Sequence, residues 1–419
     1  MNGAEPAELP LAGVRVVDVT RFVSGPLSTF FLASMGAEVI AVERPGGEQS
    51  RLLAPFGRPD GGSSATPVAD GMSVPYLKRG RGKRSVALGI DGPEGRDLVR
   101  RLAGAADVFV ENSRPGVMAR LGLGYDDLAA INPALVYVSI SGYGQTGPRA
   151  GAPAMDQAVQ AASGLMAKTG FPDGPPVRTG AAVADYTSAA FAALGVVAAL
   201  RQRDRSGRGQ HVDLAMLDVL TALVWDEPVD HYAASGVPVR TGNADPRGAP
   251  INVYPAADGW IAVTLTTSEQ WQQLVVLLGR PEWAQAMPTI RERAHHAGEI
   301  DDAFARWSRT LPASDIERRL VAIGVPASVV RDPIAARDDA QLAHRGLLEP
   351  LRHPTAAAAH PSGFLGPRLP IEFAGRVEQL APAEALGTST TAVLTEWLDL
   401  DADELAALQS RGVIATPAR

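Results

Sequence analysis

The chain has 419 residues, 46% hydrophobic and 20% charged, with a formal net charge of −7 and no cysteine. That length carries two or three domains around a large core, and the acidic balance argues against nucleic acid as a partner. Lack of cysteine excludes thiol catalysis, disulfides and cysteine-ligated metal centres, and fits a cytoplasmic protein.

The first residues, Met1–Pro10, are polar and acidic, without the basic and apolar regions of a signal peptide. Val14–Val19 is an apolar run of strand length. Pro26–Gly36 reads as a helix, with proline near its start and glycine at its end. Strand Glu38–Glu43, helix Gly92–Ala105, strand Asp107–Val110, helix Gly124–Asn132 and strand Leu135–Ile140 follow. This alternation predicts an α/β fold, a Rossmann-like large domain with a mainly parallel sheet. Ala184–Arg203 reads as a long helix ended by the polar turn Asp204–Gly209, and His211–Ala215 as another strand. Ala181–Leu200 has membrane length, but Asp185 and Thr187 interrupt it and strands flank it, so a buried helix and no membrane span are expected.

Between Glu227 and Gly248 the composition turns polar and rich in turn residues. The reading is therefore a large domain over 1–224, a linker over 225–241, a smaller α/β domain over 242–333, and a return to the large domain over 334–419. Within the small domain, Trp260–Leu265 and Val325–Val330 read as strands, with helices near Glu269–Leu278, Ile300–Thr310 and Ser314–Ile323. Arg345–Arg376 is rich in proline and glycine and includes the low-complexity run Ala356–Ala359; the last helices lie near Thr390–Leu398 and Asp401–Arg411.

The segment Ala181–Ser188, A-A-V-A-D-Y-T-S, sets a lone acid, Asp185, at the start of that long apolar helix. Two readings stand side by side. Asp185 is a helix cap, held by free backbone amides, or an ionised carboxylate available as a nucleophile. Leu77–Ser85 (L-K-R-G-R-G-K-R-S) reads as a basic loop able to hold phosphates, with Gly80 and Gly82 letting backbone amides approach. Arg44, in the loop after the second strand, and Glu111–Gly116, after the third, stand where open α/β sheets bind ligands. Together the three loops point to one polyphosphorylated ligand. None has the spacing of a Walker loop or a dinucleotide fingerprint, which disfavours a nicotinamide dehydrogenase. The first histidine is His211, so no histidine base comes from the front half, and His295-His296 reads as an exposed helix end with no metal role.

Several ordered motifs carry a resemblance. They are Asp18-Val19-Thr20-Arg21 with Gly25-Pro26, Gly36–Ile40 leading to Glu43-Arg44-Pro45-Gly46-Gly47, Arg81–Ser85, Glu111–Gly116, Gly142–Pro148 and Gly207–Gln210. In these, from Leu9 to Ile414, the chain resembles class III CoA-transferases, the group that includes formyl-CoA and carnitine CoA-transferases. The resemblance implies that Asp185 is the nucleophile, forming a mixed anhydride and then an aspartyl-CoA thioester before an acceptor acid reverses the steps. CoA and acyl-CoA are then substrates, a free carboxylic acid is the acceptor, and no metal or resident cofactor is needed. It also implies an interlocked homodimer. Asp156 gains a supporting role; Arg44, Asn112 and Arg120 match CoA-contacting positions, and Lys83 and Arg84 fit phosphates more loosely. Arg21 and Val23 occupy positions where formyl-CoA transferase has His and Gln. Pro246–Pro250 matches a glycine-rich lid loop. Small neighbours (Ala181, Ala182, Ala184, Ser188) leave room for a thioester, and a helix start is expected to depress the Asp185 pKa. Similar α-methylacyl-CoA racemases use a histidine that falls at Met155, so that route lacks its base here. A CoA-binding protein without catalysis is the third reading.

Overall fold

A computed structural model describes residues 8–58, 60, 62–67, 71–355, 364–373 and 379–417. The first residues of the polar start and the run Ala356–Ala359 lie outside this set. The chain divides into two compact units, one of 1–163, 180–223 and 341–419, the other of 164–179 and 224–340.

The first unit is built on a sheet of β1 (Arg15–Asp18), β2 (Glu38–Glu43), β3 (Lys83–Leu88), β4 (Val108–Glu111), β5 (Val136–Ser141), β6 (His211–Ala215) and β10 (Ile414–Ala415). The order across the sheet is β10-β3-β2-β1-β4-β5-β6. All neighbours pair in parallel except β10, which runs antiparallel to β3 through Ile414–Leu88 and Ala415–Ala87. Strands such as β4 and β5 are buried along their whole length, as a parallel sheet covered on both faces requires. From β1 the chain moves outward to β2 and β3, then returns to place β4 on the other side of β1. The crevice between the carboxyl ends of β1 and β4 is thus the topological switch point, where such sheets bind ligands.

Helices α1 (Ser24–Ser34), α3 (Pro93–Gly104), α5 (Tyr125–Ile131) and α7 (Val183–Ser206) lie along the crossovers. One core joins Val17, Ile40, Val86, Phe109 and Tyr137 of the sheet to Leu102, Leu128, and Val393, Leu394 and Trp397 of α11 (Thr390–Leu398). The C-terminal helices α11 and α12 (Ala402–Ser410) therefore complete the first unit's core. α1 and α7 pack closely through small residues. Gly25 is obligatory there: a Cβ would stand 2.3 Å from Thr20 Cβ.

α7 is, among the described residues, the one helix long and apolar enough to cross a membrane. It packs instead on α1 and on β5 and β6. Its alanine-rich face is buried (Ala184, Ser188, Ala189, Ala192, Val196, Ala199), whereas Phe191 and Leu194 on the other face are 52% and 61% exposed. The expected burial thus holds for one face only, because the large apolar residues have no partner within a single chain.

In the second unit, β7 (Ile251–Pro255), β8 (Trp260–Thr264) and β9 (Ala327–Val329) form an antiparallel sheet with β8 central. Trp271 and Leu274 of α8 (Ser268–Leu277), Ile300 and Phe304 of α9 (Ala297–Ser308) and Ile316 and Leu320 of α10 (Ala313–Ala322) cover it. Residues 164–179 cluster with this unit because Gly242 N donates to Gly170 O (3.1 Å) and Arg240 donates to Ala167 O (3.1 Å) and Gly174 O (2.8 Å).

Candidate active site

Asp185 is the third residue of α7, and Ala182 stands at the N-cap without a side-chain bond. The cap comes from another helix. Asp156, the first residue of α6 (Asp156–Ala162), accepts from Ala184 N at 2.8 Å and from Asp185 N at 3.3 Å through Oδ1, while Oδ2 accepts from Gln160 Nε2 at 2.7 Å. Capping by a neighbour leaves the Asp185 carboxylate free for chemistry, which excludes the cap reading for Asp185 itself. The Ser24 hydroxyl, at the first residue of α1, donates to it.

The expected depression of the Asp185 pKa is overturned. Burial, and then the Asp156 charge, push it up to about 6, against smaller opposing effects of Arg79 and the Ser24 hydrogen bond. The helix start does not win because its amide donors are spent on Asp156. At pH 7 about nine-tenths of Asp185 is still ionised, and a raised pKa makes the carboxylate a more basic, more reactive nucleophile.

The switch point is closed by Asn112, just past β4. Its Oδ1 accepts from Arg21 N (2.9 Å) and its Nδ2 donates to Arg21 O (2.8 Å). Asn112 therefore fixes the Arg21 backbone, and its amide reaches a ligand only through what remains of its lone pairs and protons. Arg21 is half-buried, its pKa lowered by burial and then by the neighbouring Arg44. Among the described residues, the ion-pair partner of Arg44, just past β2, is the exposed Asp91, at 3.5 Å. Arg21 and Arg44 thus form a cationic pair at the carboxyl ends of β1 and β2, suited to phosphate. Val23 is the N-cap of α1, its carbonyl accepting from Leu27 N at 2.9 Å. Arg120 ends α4 (Val117–Arg120), exposed, its Nη1 close above Gly116.

The basic run is not a loop, which corrects the expectation for Lys83 and Arg84. Val74–Arg79 is α2, capped by Ser73 Oγ, which accepts from Tyr76 N, and Lys83 already belongs to β3. Successive residues of a strand point to opposite faces. Lys83 turns into the core, where its Nζ donates to Asp18 (3.0 Å), Pro26 O (2.7 Å) and Thr29 Oγ1 (2.7 Å). Arg84 turns out and pairs with Glu38 (2.8 Å) and Glu396 (2.6 Å). Both charges are committed to structural partners, not to phosphate. The residue of this run whose charge opposes the raised pKa of Asp185 is Arg79, which the sequence reading did not single out.

The centre holds a carboxylate of raised pKa at the head of α7 among small residues, and the switch point of the sheet holds a cationic pair. Such a set of groups suits group transfer from a phosphorylated carrier on an α/β fold. The model of CoA-transferase family III matches residues 11–388, and the chain belongs to that family. It is 35% identical over 409 residues to the succinyl-CoA–D-citramalate CoA-transferase of Chloroflexus aurantiacus, covering 97% of this chain and 98% of the relative. It is 36% identical over 344 residues to the succinate–glutarate CoA-transferase of Agrobacterium fabrum, covering 81% and 84%. The crystal structure of a CAIB/BAIF family protein from Brucella suis superposes with a TM-score of 0.79 at 32% identity, covering 93% of this chain and all of that one. The chain is accordingly an enzyme that transfers CoA between an acyl-CoA and a carboxylic acid.

Proposed function

We propose that Asp185 carries the transfer covalently, and that the substrates are a dicarboxylic acyl-CoA and a second dicarboxylate. An Asp185 oxygen attacks the thioester carbonyl, the C–S bond breaks, and CoA thiolate leaves behind a mixed anhydride. The thiolate then attacks Asp185 Cγ, the C–O bond breaks, and the donor acid departs, leaving an aspartyl-CoA thioester. The acceptor carboxylate runs both steps backwards and restores Asp185. No proton is needed at either stage, because the nucleophiles are anions throughout. Arg21 and Arg44 hold the CoA phosphates, so the long carrier keeps the thiolate beside Asp185 between steps.

The observation that carries this reading is the capping of α7 by Asp156, which frees Asp185, whose pKa burial and then the Asp156 charge raise. The dicarboxylate assignment draws on the named substrates of the two relatives, D-citramalate and glutarate. A racemase would need a base beside Asp156; Met155 there is 64% exposed and holds no proton. His211 is in β6, bonded to Ser139 Oγ at 2.9 Å. The exposed stripe Phe191, Leu194, Val197 on α7 supports a homodimer in which a second copy covers it. Asp185→Asn is expected to lose transfer while keeping its circular dichroism and a melting temperature at or above the parent's, since the penalised charge is gone; turnover by the purified variant at the parent rate would sink the assignment.

A further inference from the structure

Residues 19–23 join β1 to α1 at the switch point. Both ends of the join are fixed. Asp18 Oδ1 accepts from Thr20 N at 2.9 Å, and Asp18 is itself held by Lys83 Nζ at 3.0 Å and Thr29 Oγ1 at 2.6 Å. Thr20 also lies against the start of α1, where a Cβ on Gly25 would not fit beside it. Between these anchors Phe22 stands in the left-handed region, at φ 65°. Among the described residues, Asp399 is the other non-glycine residue of positive φ. It is a short polar residue at a helix end, a type that visits this region readily. For a bulky aromatic the conformation is strained, and such strain persists only where the surroundings over-determine it.

Here the surroundings are two side chains from other loops. Asn112 grips the Arg21 backbone from both sides: its Oδ1 accepts from Arg21 N at 2.9 Å, and its Nδ2 donates to Arg21 O at 2.8 Å. Glu48 Oε2 takes Phe22 N more loosely, at 3.5 Å, and is steadied by Ser50 N at 2.9 Å. Arg21 O and Phe22 N belong to one peptide plane. That plane is therefore held at its oxygen edge by Asn112 and at its nitrogen edge by Glu48, and φ of Phe22 is the rotation next to it. Without the grip, the plane turns to relax Phe22. Repulsion between Arg21 and the neighbouring Arg44 drives Arg21 the same way, out of the pair.

We infer that Asn112 is a positioning residue and not a CoA ligand: with Glu48 it locks the strained peptide ahead of Phe22, and so keeps Arg21 beside Arg44 before a phosphate arrives. This rests on the phosphate role proposed for Arg21 above. A cation set in place beforehand spares the cost of ordering it on binding.

The test is a double-mutant cycle on CoA affinity by calorimetry, with kinetics on succinyl-CoA and melting temperatures alongside. Asn112→Ala is expected to weaken CoA binding about 10-fold, the effect of one misplaced charge-assisted contact. The loss falls on KM for succinyl-CoA more than on kcat, since the phosphates are bound alike in ground and transition states. In Phe22→Gly, where a left-handed backbone carries no steric penalty, the same substitution is expected to cost about 3-fold or less. Phe22→Asn, which also tolerates that backbone, gives the comparison if the glycine variant folds poorly. Equal losses from Asn112→Ala in every background overturn the inference and make Asn112 a direct ligand; an unchanged affinity in Asn112→Ala overturns it too. Arg21→Ala with the parent's CoA affinity overturns instead the phosphate reading on which the inference rests.

Discussion

Asp156→Asn separates the two tasks given to Asp156. The amide keeps an Oδ1 to accept from Ala184 N and Asp185 N, so α7 stays capped, while Gln160 turns its own amide to meet the new Nδ2. What disappears is the negative charge beside Asp185. The Asp185 pKa stands at about 6 against an ordinary 3.8, a rise of about two units, or roughly 3 kcal/mol against the charged form. Burial is the larger cause and Asp156 the next, so removal of the charge is expected to lower the pKa, while burial still holds it above the ordinary value. The acid limb of kcat/KM, at about pH 6 in the parent, then moves to lower pH. The sign for stability follows. A carboxyl whose pKa is raised by folding costs nothing below about pH 3.8 and its full penalty above about pH 6, so relief of the penalty stabilises the variant at pH 7 and not at pH 3.5. The assay is kcat/KM between pH 4.5 and 8, with urea unfolding at pH 7 and 3.5. A limb that stays in place or moves to higher pH refutes the argument that Asp156 loads Asp185 electrostatically.

Arg44→Ala is expected to weaken CoA binding about 10-fold or more in calorimetry, the loss of a charge-assisted phosphate contact; an unchanged affinity removes Arg44 from the CoA site. Lys83→Met leaves Asp18 buried and uncompensated, which costs about 3–5 kcal/mol in urea unfolding. CoA affinity per folded molecule should stay near that of the parent, and a selective loss of CoA binding at parental stability would return Lys83 to the phosphates.

Much of the fold was legible because hydrophobic runs of strand length alternate with amphipathic helices. Glu38–Glu43 and His211–Ala215 fall at their expected bounds, and helices α1, α3 and α11 fall within two residues of theirs. Ile251–Pro255 escaped, since Asn252 and Pro255 break the pattern of a strand that tertiary pairing with β8 stabilises. The basic run misled for a similar reason. Glycines at 80 and 82 look like a loop, yet Gly82 (φ 71°) is only the turn that joins α2 to β3. Once Lys83 and Arg84 lie on a strand, alternation sends one to Asp18 and the other to the surface, and neither is free. Asp185 was legible as an unusual acid, but the choice between cap and nucleophile was not. It turns on Asp156, 29 residues earlier, reaching the head of α7 from a different helix. No local pattern reports such a contact.

The most direct test of the central claim is the mass of the peptide that holds Asp185 after the enzyme is incubated with succinyl-CoA alone and quenched in acid. Covalent transfer predicts a CoA adduct on Asp185, absent in Asp185→Asn, that disappears when an acceptor acid is added. An unmodified Asp185 in an enzyme that is turning over would contradict the account.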